Sequence, residues 1–179
     1  MVDPITSRMW FMRCVYLFLA FLLIFLQLLP LETVPNGWAA PDWLMALTLA
    51  WALRRPEYVP AINVACVFLL ADLLFQRPPG LQAALMVVAA EVLRARALAN
   101  RDTPYLVEWM SVAGMMIGVA LTHRIFLAIF FIPAPSLRLV LIQLGMTIAL
   151  YPIVVVVSHV IFKVRRAAPG EVDALGHRL

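Results

Sequence analysis

The feature that most constrains this chain is the length of its apolar runs. Cys14 through Leu29 carries no charged residue, and similar runs recur to the end of the sequence. A helix needs about 20 mostly apolar residues to cross the hydrocarbon core of a bilayer. Inside that core every backbone N–H and C=O must be satisfied within the segment itself, which a helix achieves. Six such segments can be drawn, at about 10–30, 41–53, 59–76, 80–98, 104–123 and 136–162. Composition agrees: hydrophobic residues make up 64% and charged residues 13%, against roughly 45–50% and 25% in a soluble domain. The 13 prolines fall mostly between the runs, as punctuation, and argue against the short alternating strands of a β-barrel. The expected class is an all-α integral membrane protein, one six-helix transmembrane domain over 1–163 with a short tail, 164–179.

Basic residues orient it. With six spans and both termini cytoplasmic, the inner segments hold Arg8, Arg13, Arg54, Arg55, Arg94, Arg96, Arg101, Lys163, Arg165, Arg166 and Arg178, eleven of the 14 basic residues. Arg77, Arg124 and Arg138 remain outside, a positive-inside distribution that dropping any one middle span would scramble. The first run also has the flanks of a signal peptide, but it is long for a 7–15-residue core and Trp38 spoils the cleavage site, so it is kept as a helix. Span 2 is short, about 20 Å of helix, and needs shelter from its neighbours or a thin membrane. Residues 125–132 are apolar again and either extend helix 5 or lie at the interface. The net charge of +4 is spread as helix-end residues, with no basic run suited to nucleic acid. Cys14 and Cys66 lie inside apolar runs and have no disulfide or metal-ligand spacing.

Ionisable residues at membrane depth are costly and are functional candidates by default. Asp42 follows Pro41 at the start of span 2, where a carboxylate suits the positive end of the helix dipole. Asp72 lies deep in span 3, just before Arg77-Pro78-Pro79-Gly80. It reads either as a buried carboxylate that fixes helix packing or as part of an outward pocket. A pair with an outer-half cation, foremost Arg124, is expected, with Asp42 and Arg77 able to join this polar cluster. On the inner side Glu91 and Glu108 are placed for salt bridges with Arg94, Arg96 and Arg101. Ser111, Gly114, Gly118 and Thr122 form a small-residue face that lets another helix approach closely, whether from this chain or from a partner. Asn63, Gln143 and Thr147 suit interhelical hydrogen bonds, and Pro152 should kink span 6. No nucleophile elbow, zinc-protease motif or phosphate-cradling loop is present, so no catalytic, cofactor or metal residues are assigned and the chain reads as a non-enzyme.

The order of several short motifs resembles a known family. Pro41-Asp42-Trp43-Leu44, Trp51-Ala52-Leu53 with Arg55-Pro56, Ala71-Asp72-Leu73-Leu74 with Pro78-Pro79-Gly80-Leu81, Tyr105-Leu106-Val107-Glu108-Trp109, and Thr147 with Leu150-Tyr151-Pro152 are similar to the rod shape-determining protein MreD family over about 10–163. Pro79 departs from the pattern, where Leu is commoner. The resemblance implies a multi-pass subunit of the bacterial inner membrane, in the elongation complex that organises side-wall peptidoglycan synthesis and cell shape. It implies binding to MreC, which has one membrane helix and a coiled coil, beside MreB, RodA and a class B penicillin-binding protein. It further implies a bundle similar to the substrate-binding component of energy-coupling-factor transporters. A vitamin-type uptake component is the alternative function.

Overall fold

The computed structural model describes residues 4–29, 39–99 and 104–164. They form six α-helices and no strand: α1 Pro4–Leu28, α2 Trp43–Arg54, α3 Ala61–Leu74, α4 Leu81–Ala99, α5 Tyr105–Ile129 and α6 Leu137–Phe162, with a single 3₁₀ turn, Pro56–Tyr58, between α2 and α3. Helices α1, α5 and α6 are long and apolar enough to cross a membrane. Helices α2 and α3, of 12 and 14 residues, are not, at roughly 18 and 21 Å. Helix α5 runs on to Ile129, so most of the second apolar stretch after Arg124 extends it. Arg101 and the tail beyond 164 lie outside the described residues.

Helix α2 is the centre of the bundle. It packs against α1, α4 and α6, and every residue from Leu44 to Leu53 is buried. The shelter that its length requires is therefore supplied by protein. Since lipid tails are as apolar as leucine, such helices are held by close packing and hydrogen bonds rather than by hydrophobic burial alone. Trp51, fully buried, packs against the rings of Tyr16, Tyr58 and Phe162 at 5.7–6.4 Å and donates its indole N–H to Ser158 Oγ at 3.0 Å. Tyr16 Oη and Thr48 Oγ1 share a hydrogen bond of 3.1 Å, and Thr147 Oγ1 accepts the backbone N–H of Asp42 at 2.9 Å. Each ties α2 to a different length of α1 or α6.

Helix α6 continues through Pro152. A proline has no N–H to give to the carbonyl four residues earlier, which here is Ile148. That carbonyl instead accepts the indole N–H of Trp109 on α5, at 3.0 Å. The lost helix bond is thus replaced by one between helices. Both α3 and α5 end with a left-handed residue that is not glycine, Gln76 and Phe131, each at φ 54°. In each the following N–H returns to the carbonyl five residues back, Arg77 to Asp72 and Ile132 to Leu127, at 2.9 Å, which is the Schellman closure of a helix C-terminus.

Candidate functional site

The polar residues collect at the two ends of the bundle. At one end, Arg54 of α2 grips the Glu108 carboxylate of α5 with two hydrogen bonds, 2.8 and 3.1 Å, and Tyr151 of α6 donates its hydroxyl to the same carboxylate at 3.2 Å. Glu108 and Tyr151 are buried. Arg94 pairs with Glu91 at 2.9 Å and donates to the carbonyls of Pro56 and Val59, at 3.3 and 2.8 Å, which fastens α4 to the 3₁₀ turn. Arg13 of α1 donates to the Glu57 carbonyl at 2.9 Å. Glu91 and Arg94 therefore meet, whereas Glu108 takes the guanidinium of Arg54. The sequence gives Arg54 the look of a topology signal; its position as the last residue of the buried helix points it inward.

At the opposite end, Asp72 is fully buried near the C-terminus of α3. Its Oδ2 accepts the backbone N–H groups of Gly80 and Ala83, at 3.0 and 3.3 Å. These are the cap residue and the third residue of α4, whose first N–H groups have no partner within the helix. Gly80 has no side chain with which to cap, and its φ of +86° suits a glycine. Asp72 caps α4 from the preceding helix. The expected pair with Arg124 does not form: the Arg124 guanidinium donates to the Pro135 carbonyl at 3.0 Å. Asp42 caps α2 itself, Oδ1 accepting the Met45 N–H at 2.9 Å, as its place at the helix start suggests.

Between these caps lies a cavity of about 130 Å³, lined among others by Asp42, Arg77, Gln82, His123, Arg124 and Thr147. Three residues of the expected cluster, Asp42, Arg77 and Arg124, line this cavity, and Asp72 does not. Arg77 lays its guanidinium over the Phe75 ring, 5.2 Å from the centroid. His123 lies within electrostatic range of both Arg77 and Asp72. Its Nε2 and Asp72 Oδ1 are buried with no hydrogen-bond partner. His123 and Gln82 are the members that sequence reasoning missed. His123 adjoins Arg124 and so was visible at the right level, but Gln82 enters only because the Pro-Pro-Gly turn folds α4 back against α3.

No family model, curated protein or solved structure matches this chain. The likeness to MreD consequently rests on the motifs quoted above. Among the described residues no group of three or more His, Cys, Asp or Glu is placed to hold a metal ion, and Ser158 is occupied by Trp51.

The small-residue face points away from the bundle. Met110, Gly114, Ile117, Gly118, Leu121 and Ile125 form an exposed stripe along α5, flanked by the half-buried Ser111 and Thr122. A Cβ built on Gly114 or Gly118 meets nothing within 4 Å. Within the described chain, the glycines have no helix against them. The buried face of α5, Glu108, Val112, Met116 and Val119, lies opposite.

Proposed function

We propose that this chain is a non-enzymatic, multi-pass subunit of a bacterial inner-membrane rod complex. In that role it binds MreC through a membrane helix and helps to organise side-wall peptidoglycan synthesis with MreB, RodA and a class B penicillin-binding protein. Six spans with both termini cytoplasmic complete the reading. The observation that carries it is the bare α5 stripe, where two glycines one turn apart leave the backbone open on a surface otherwise of bulky apolar side chains. Such a surface accepts a close helix–helix crossing, and a single-span partner has a helix to offer. The ordered MreD-like motifs support the identity of the complex. Of the basic residues that support the orientation, Arg13, Arg54 and Arg94 share one end of the bundle, in the contacts described above.

Co-purification with MreC tests the proposal. The wild-type chain is expected to retain MreC through detergent extraction, and Gly118→Leu, which fills the stripe without touching the core, to lose it while remaining abundant. Retention by Gly118→Leu excludes the stripe as the docking surface. Depletion in a rod-shaped host is expected to give rounded or widened cells; normal width with impaired uptake of a vitamin would favour the transport reading.

A further inference from the structure

We propose that the cavity between the N-terminus of α2, the α3–α4 turn and the outer halves of α5 and α6 binds a singly charged phosphodiester. This goes beyond the scaffold role, which does not use the cavity. Two arginines on separate elements, Arg77 and Arg124, line it. Among the described residues no carboxylate lies within ion-pair distance of either, although Arg77 is within electrostatic range of Asp72. The Arg77 guanidinium rests on the Phe75 ring, and Arg124 spends one N–H on Pro135. A guanidinium carries five N–H donors in a planar fork, so most of the donors here are unused. Guanidinium forks suit phosphate oxygens.

The remaining lining defines the ligand further. Gln82 is a buried residue of the lining, and His123, within electrostatic range of Arg77, keeps a buried ring nitrogen with no hydrogen-bond partner among the described residues. Together they supply neutral donors and acceptors. Asp42 adds one carboxylate to the wall, and that carboxylate disfavours a doubly charged phosphate while leaving an acceptor for a hydroxyl or amine on the ligand. Much of the rest of the lining is apolar, including Met45, Val119, Leu127 and Leu144. A phosphodiester bearing a short polar head on one side and an apolar body on the other matches these walls. It has two sources, a phospholipid headgroup and a soluble glycerophosphodiester.

The test uses the full chain purified in a phosphate-free maltoside detergent, with thermal unfolding followed as either phosphatidylglycerol or soluble glycerophosphoglycerol is added. Wild type is expected to gain thermal stability in a saturable way. Arg77→Gln and Arg124→Gln, which preserve side-chain polarity, are expected to require roughly tenfold more ligand. Arg138→Gln, at the same end but outside the cavity lining, serves as the charge control and is expected to behave as wild type. Saturable stabilisation by phosphatidylglycerol alone identifies a lipid ligand, and stabilisation by glycerophosphoglycerol as well identifies the soluble headgroup as sufficient; both support the site. The proposal is overturned if neither compound stabilises wild type, or if Arg138→Gln shifts the dependence as far as the cavity variants do.

Discussion

Two carboxylates in this chain are solvated by protein instead of water, and each does so in a different way. Asp72 serves α4 as a cap, so its loss is felt first by the backbone donors of Gly80 and Ala83 and not by Arg124. Asp72→Asn keeps an oxygen for Gly80 and Ala83 and is expected to be mild, whereas Asp72→Leu strands both N–H groups and should cost about 1–3 kcal/mol in the thermal or denaturant unfolding of the purified chain. For the same reason the charge exchange Asp72→Arg with Arg124→Asp is expected to recover nothing beyond the single variants; recovery of protein level would restore the direct pair. Glu108 is a true ion-pair partner, with its side chain only 2% and that of Arg54 11% exposed. Removing one member of a buried pair leaves an uncompensated charge, so Glu108→Ala should destabilise by about 3–5 kcal/mol, and replacing both Arg54 and Glu108 with leucine should cost distinctly less. Equal losses would show that Arg54 is hydrated in the variant.

At the scale of elements, the α5–α6 pairing depends on a bond that helix α6 cannot make for itself. Pro152→Ala restores an N–H four residues after Ile148, which then competes with the Trp109 indole for one carbonyl. A double-mutant cycle with Trp109→Phe should show coupling between the two sites, on the order of 0.5–1.5 kcal/mol, while strictly additive losses would mean that the indole bond is incidental. The sequence announces the proline but not the partner of its orphaned carbonyl, because which residue of α5 stands opposite Ile148 is set by the packing of two helices. The same division holds elsewhere. Helix boundaries were legible from Pro41, Pro60, Pro78–Gly80 and Pro104, each near a helix start. The role of Asp72 was half legible: its burial follows from its depth, but its target depends on the turn geometry that brings Gly80 and Ala83 beneath it. The direction of the Gly114–Gly118 face was illegible, since small residues at that spacing serve an internal and an external neighbour equally well.

For the molecule as a whole, six helices with most of the described basic residues at one end make orientation a testable quantity. Alkaline phosphatase fused after Arg77 or Phe131 is expected to be active, and after Glu57 or Val164 inactive; activity at Glu57 would reverse the bundle or remove a span. The complete burial of α2 also bears on how the chain is made. A segment only 12 residues long has little capacity to partition into lipid alone as it leaves the ribosome. Its cover arrives late, because the acceptors for the Asp42 N–H and the Trp51 indole, Thr147 and Ser158, are on α6, four helices further along the chain. Nascent chains arrested before Leu137 should therefore hold α2 loosely, open to cysteine-directed reagents at Ala50 or Ala52 once either is made a cysteine. Protection should appear only when α6 has emerged, so that membrane integration of the second helix waits on translation of the sixth.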